Sequence, residues 1–381
     1  MKRKLSLICI AIILLLAILY LTFAYAPFTA NLRQIYVETA MGTLHHQWLA
    51  EKLLPKRVVT QAMANQDREQ AAQTGLFSRW DNMSEYAMPE IVDEGSFFEV
   101  FHELPAQTVH AWLAQNPNAL QNGWENLYIA PEKGDTFVTR YGEPVLVVDA
   151  ANKLLLVETE TTSAKGILAI IKNPAGLSVC PSSALDGAGE TVGKIAKDNG
   201  GLVAITGSAF HGANEEGTGG QLAGYAMCSG VEYGSNHLPG GNKRIEYRKD
   251  QLLYITDTTD PVSADCTDAV EFRPALIIDG QLVVEKGWAG LQPRTCLGQT
   301  GRREILMLVM EGRILSEGIL GASVLECARV LKQHGCMQAI NLDGGNSAML
   351  WYNGAYLTRS CDPDHKDGRP VPTAVVWKNN K

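Results

Sequence analysis

The string Asn341-Leu342-Asp343-Gly344-Gly345-Asn346-Ser347 sets a carboxylate at the end of an apolar run, with two glycines directly behind it. Glycine lets a backbone approach a ligand closely, and free N–H groups in succession attract an anion. On that reading Asp343 serves as nucleophile or base, while the Gly344 and Gly345 amides and the Ser347 hydroxyl hold a phosphate or sugar oxygen. The alternative is an Asp-Gly-Gly turn in which Asp343 caps its own backbone. A second string, Thr206-Gly207-Ser208-Ala209-Phe210, runs through His211 to Gly219-Gly220 and holds five glycines between Gly207 and Gly220. His211, Glu215 and Glu216 offer acid–base or metal-binding groups, but the order of a calcium loop is missing. For the two glutamates a solvated acidic loop is the simpler reading. Arg294 beside Pro293, and Arg369 beside Pro370, are each suited to grip a phosphate through paired hydrogen bonds. No nucleophile elbow, phosphate-binding loop, zinc-protease helix or dinucleotide fingerprint stands at a strand–helix junction.

Both glycine strings need strand ends to carry them. Leu202-Val203-Ala204-Ile205 and Met337-Gln338-Ala339-Ile340 are short apolar strands that lead into them. Ligands in α/β layouts sit where such carboxyl ends open into loops. A helix is expected before each strand. One spans Glu190 to Asp198 and stops at Asn199-Gly200-Gly201. The other spans Ser323 to His334, opened by a Ser323/Glu326 capping box and closed by Gly335. Val145–Val148 and Leu154–Val157 read as a hairpin, with further strands at Ile167–Ile171, Ala275–Ile278, Leu282–Val284 and Ile305–Met310. The pattern predicts an α+β fold: one mixed-sheet catalytic domain with flanking helices over 126–381.

Residues 31–125 precede it. A helical pattern over 31–57 ends at Pro55, and the polar stretch 61–95 reads as a spacer. His45-His46 lacks a carboxylate or cysteine at ligand spacing and reads as two polar residues on that helix. Residues 1–30 form a cytoplasmic tip and a transmembrane helix. Leu5 to Phe28 is a run of 24 residues in which only Ser6, Thr22 and Pro27 are not hydrophobic. As helix it is roughly 36 Å long, enough to span a bilayer. Lys2, Arg3 and Lys4 place the N-terminus in the cytoplasm and the bulk outside, as a single-pass plasma-membrane protein. Ala24-Tyr25-Ala26 resembles a signal-peptidase site, but Pro27 follows it and the apolar core exceeds a usual signal region, which favours an uncleaved anchor.

The chain has 381 residues, 46% hydrophobic and 19% charged, which excludes a disordered or polytopic membrane protein. A net charge of −8 speaks against nucleic acid as a partner. It also means that an anionic ligand must be drawn by a local pocket rather than by the whole-protein field. Eight cysteines occur without a CxxC pair or zinc spacing.

In chain order, GILAIIKNPAGLSV, GETVGKIAKDNGGLVAITGSAF, GLQPRTCLGQT, QAINLDGGNSAMLWYNG and RPVPTAVVW resemble the phosphodiester glycosidase family over residues 160–378. The membrane-proximal ETAMGTLHHQWLA is similar to membrane-anchored bacterial members. The chain departs from the family at Thr206, where Asn is common, at Ser208 or Ala209, where Gly is common, and at Asn346-Ser347-Ala348. The resemblance implies hydrolysis of a sugar-1-phosphate diester at its glycosidic bond, in cell-surface polysaccharide or glycan metabolism. Asp343 and Arg294 would be catalytic. Thr206, Ser208, Phe210, His211, Gly219, Gly220, Asn341, Gly344, Gly345, Ser347 and Arg369 would bind substrate. No cofactor is called for, and metal dependence is open. The leaving phosphate monoester has a second pKa of roughly 6 and needs little proton donation, so a two-acid pair is not demanded. The rival reading is a non-catalytic binding or assembly protein for an anionic cell-surface polymer.

Overall fold

The computed structural model describes residues 2–43, 46–81, 86–132, 137–211, 219–234, 236–284 and 290–379. Its α-helices are α1 (Lys2–Tyr25), α2 (Ala30–Met41), α3 (Trp48–Leu53), α4 (Lys56–Ala71), α5 (Glu94–Val100), α6 (Ala106–Gln115), α7 (Val192–Asp198) and α8 (Val324–Gln333). Within α1, the 22 residues Lys4–Tyr25 are long and apolar enough to cross a membrane. The helix expected over 31–57 is two helices, broken after Gly42, and His45 lies outside the described residues.

Residues 61–95 are not a spacer. They complete the 16-residue α4, which packs Val59 and Ala62 against Ala24, Val37, Ala40 and Ala50. A strap then lies on the strands: Gln73 Nε2 donates to Ala275 O (2.8 Å) and Val283 O (3.0 Å), and Trp80 Nε1 donates to Leu253 O (2.8 Å). Satisfying strand carbonyls in this way tethers the helical layer to the sheets. No break in packing falls at residue 125, because Phe97, Val100 and Phe101 share one core with Leu127, Leu168, Cys296 and Leu308.

Three sheets of five or more strands carry the rest, and all pairings between the described strands are antiparallel, so the single mixed sheet expected from sequence is not what forms. The nine-stranded sheet runs Tyr128–Ile129, Val145–Asp149, Leu154–Glu160, Lys165–Ile171, Ile305–Met310, Arg294–Thr300, Cys336–Leu342, Ala275–Ile278, Gln281–Leu282. Its Ile305–Met310 strand is buried at every residue. Leu306, Leu308 and Met310 face the core under α5, α6 and α8, while Ile305, Met307 and Val309 face the two five-stranded sheets. Period-two side chains buried on both faces explain why this strand reads as a continuous apolar run. A five-stranded sheet runs Ala355–Tyr356, Leu350–Tyr352, Val203–Thr206, Thr373–Trp377, Leu177–Pro181, with α7 on its outer face. The expected capping box forms: Ser323 and Glu326 satisfy each other's backbone N–H at the start of α8.

Candidate active site

The Cys336–Leu342 strand pairs with Arg294–Thr300, with Thr295 opposite Leu342 and Cys296 opposite Asn341. The chain then bends, and Asp343 donates its N–H to Gly207 O (3.3 Å), which joins the two glycine strings at one place. Gly344 and Gly345 open a short 3-10 turn. A Cβ on Gly344 would lie 2.6 Å from Pro293 O, and Gly345 adopts φ +58°, so glycine is needed at both.

Asp343 is half-buried, with its Oδ2 shielded from solvent. Its Oδ2 has no hydrogen-bond partner among the described residues. Burial pushes its pKa up to about 6, against the lowering influence of the Ser347 hydroxyl, Arg369 and the Gly344 N–H. A carboxyl poised near neutrality can take and return a proton. Two further buried oxygens lack partners at the same end of the sheet, Thr295 Oγ1 and Asn341 Oδ1. Buried polar atoms are normally satisfied, so the free Asp343 oxygen marks a place where a ligand or water belongs.

Arg369 stacks on Phe210, with its guanidinium carbon 4.5 Å from the ring centroid. His211 follows on the exposed start of a hairpin with Gln221–Leu222. Glu215 and Glu216 lie outside the described residues. Gly219 and Gly220 are packing positions: a Cβ on Gly219 would collide with Pro370 O, and one on Gly220 with Gly187 O.

Other expected residues have internal work. Arg294 is buried, donating from Nε to Ala322 O (3.1 Å) and from Nη2 to Gly290 O (2.8 Å). These bonds brace the loop before its strand. Gly345 gives its N–H to Pro293 O (3.0 Å), so that amide is not open to an anion. Thr206 donates its hydroxyl to Ser347 O. Ser208 is buried beside Thr373, with Oγ atoms 2.8 Å apart. Asn341 gives Nδ2 to Arg273 O (2.7 Å).

One residue beside the glycine turn escaped the sequence reading. Arg313 donates from Nη1 to Asn346 Oδ1 (2.9 Å) and from Nη2 to Gln292 Oε1 (3.3 Å), both uncharged acceptors beside the glycine turn. Asn346 also accepts from Cys361 Sγ (3.1 Å). The turn Glu311-Gly312 before Arg313 was the available signal, and it names no partner. Behind this side of the site, Glu38 of α2 accepts the Gly290 N–H (3.1 Å) and Thr39 Oγ1 accepts the Leu291 N–H (2.9 Å). Burial pushes Glu38 up to about 7, although Gln34, Gly290 and Arg294 favour its charged form.

His102, Glu103 and Glu304 approach one another closely enough to suggest a metal cluster. Lys172 Nζ fills that place, 2.6 Å from Glu103 Oε1 and 2.8 Å from Glu304 Oε1. It is a buried ion-pair network.

Residues 199–378 match the model of the phosphodiester glycosidase family. The fold is shared with the catalytic domain of zebrafish N-acetylglucosamine-1-phosphodiester alpha-N-acetylglucosaminidase, auto-inhibited by pro-peptide. That match has 17% identity and a TM-score of 0.51, over 79% of this chain and 99% of that one. A hypothetical protein from Synechocystis matches at 16% identity over 58% of this chain and 61% of that one, with a TM-score of 0.39. No curated protein matches the sequence.

Proposed function

We propose that the chain is a membrane-anchored hydrolase that cleaves the glycosidic bond of a sugar-1-phosphate diester on the extracytoplasmic side, in cell-surface glycan metabolism. The observation that carries this reading is the under-paired, half-buried Asp343 within the family-matched region. Asp343 acts as general base. Water attacks the anomeric carbon, its proton passes to the free Oδ2, the bond from carbon to phosphate oxygen breaks, and a phosphate monoester departs. Arg369 and Arg313 hold the phosphate, and Phe210 offers its ring to the sugar. Arg294, Thr206, Ser208, Asn341 and the glycines hold the loops in place.

The corner after α1 supports an uncleaved anchor. Ala24 is buried against α2, Phe23 meets Tyr36 edge-on at 5.6 Å, and Arg33 and Thr29 cap carbonyls at the end of α1. Removing residues up to Ala26 would open that packing.

The test offers the full-length protein a sugar-1-phosphodiester, a uridine-diphosphate sugar and a teichoic-type polymer. Free sugar should appear from the phosphodiester, with a rate that climbs as pH rises through about 6, where Asp343 ionises. Binding without turnover selects the assembly-protein reading.

A further inference from the structure

A groove of about 960 Å³ lies where α1 meets α2 and α4, and Arg33, Arg57 and Arg68 line it against a single carboxylate, Glu69. Small-molecule sites span roughly 300–1,000 Å³, so the space suits a head group. Arg33 commits Nη1 to Phe23 O (2.8 Å), Ala26 O (3.3 Å) and Thr29 Oγ1 (3.1 Å), which fixes the guanidinium in the groove wall. Arg68 is held by Asn65 Oδ1 and by Ala64 O at 3.3 Å. Arg57 is exposed and forms no ion pair among the described residues.

Tyr25 at the rim ends the 22-residue apolar stretch of α1. That length is about 33 Å, close to a bilayer's hydrocarbon thickness, which sets the groove in the head-group layer. Phe28 and Leu32, in the same corner of the chain between α1 and α2, are 83% and 60% exposed. Apolar side chains at that depth meet the acyl boundary. A free phosphate would have no use for them, whereas a phospholipid presents both a phosphate and a chain.

We propose that this groove seats the phosphate of an anionic phospholipid, with the acyl chains against Phe28 and Leu32. The inference rests on α1 as a membrane span and is independent of the catalytic reading.

The test uses the full-length protein in neutral detergent, titrated with phosphatidylglycerol, phosphatidylcholine and inorganic phosphate, and counts retained lipid by native mass spectrometry. One phosphatidylglycerol should be retained at about tenfold higher occupancy than phosphatidylcholine, as expected where arginines line a head-group site. The doubly substituted Arg57→Gln/Arg68→Gln protein should lose that preference, and Arg57→Lys/Arg68→Lys should keep it. Both side chains are exposed, and the single Arg57→Glu change gives a second reading if the double variant melts early. Equal retention of the two lipids, retention unchanged in the Gln variants, or displacement by millimolar inorganic phosphate would each overturn the proposal. Sugar release measured on the same samples reports separately on the catalytic reading.

Discussion

Glu304 is buried and Asp343 half-buried, with their carboxyls at opposite ends of one strand, Arg294–Thr300. Glu304 sits by Thr300, whose hydroxyl donates to it at 2.9 Å, and Asp343 lies just past Leu342, which pairs with Thr295. Burial works against the charge of both. At Glu304, Lys172 and His102 override it and hold the carboxyl well below its usual range. At Asp343, burial wins, and one oxygen is left without a partner. The difference separates scaffold from chemistry. The Glu304 carboxylate is bonded through both oxygens and fixes geometry, whereas the free Asp343 oxygen holds free energy that a substrate can use.

The largest effect expected from this contrast is on activity. Asp343→Asn should lower sugar release by about 10³-fold or more. Its stability effect should run the other way. Because folding raises the Asp343 pKa from 3.8 to about 6, the full stability is present below 3.8 and is lost as pH rises through 6. The loss at pH 8 is on the order of 3 kcal/mol. The Asn variant should therefore melt no lower than the parent at pH 8. A large drop in melting temperature there would move Asp343 into the same class as Glu304.

Lys172→Met tests the other end. Stranding two buried carboxylates should cost about 3–5 kcal/mol in denaturant unfolding, while the molecules that stay folded keep their specific activity. Loss of activity without loss of stability would mean the network reaches the site. Arg369→Gln should raise KM, because it removes one of the two phosphate grips, and its effect on Asp343 ionisation should be the smallest of the three. Without that cation the acid limb of the pH–rate profile should move up. A limb that stays near 6 would separate Arg369 from Asp343.

Local signals were readable where local physics decides. The Ser323/Glu326 cap and the Ile305–Met310 strand follow from spacing alone. The polar α4 was hidden because it buries only small residues, Val59 and Ala62, and starts at Pro55 without a side-chain cap. The strap over Gln73–Trp80 was hidden because its bonds go to strands about 175 residues or more away in sequence. In the site, Asp343 could be picked out by its position at a strand end before glycines. The roles of Arg294 and the Gly345 amide could not, since their partners, Gly290 O, Ala322 O and Pro293 O, are set by tertiary contacts. Arg313 reaches Asn346 across a sequence gap of 33 that no motif spans.

Hydrolysis of a sugar-1-phosphodiester in ¹⁸O-labelled water tests the central claim most directly, because it reports which bond breaks. Attack at the anomeric carbon leaves the released phosphate monoester free of ¹⁸O in ³¹P spectra, with release abolished in Asp343→Asn. Label in the phosphate, or undiminished release by the Asn variant, would contradict an Asp343-driven glycosidase.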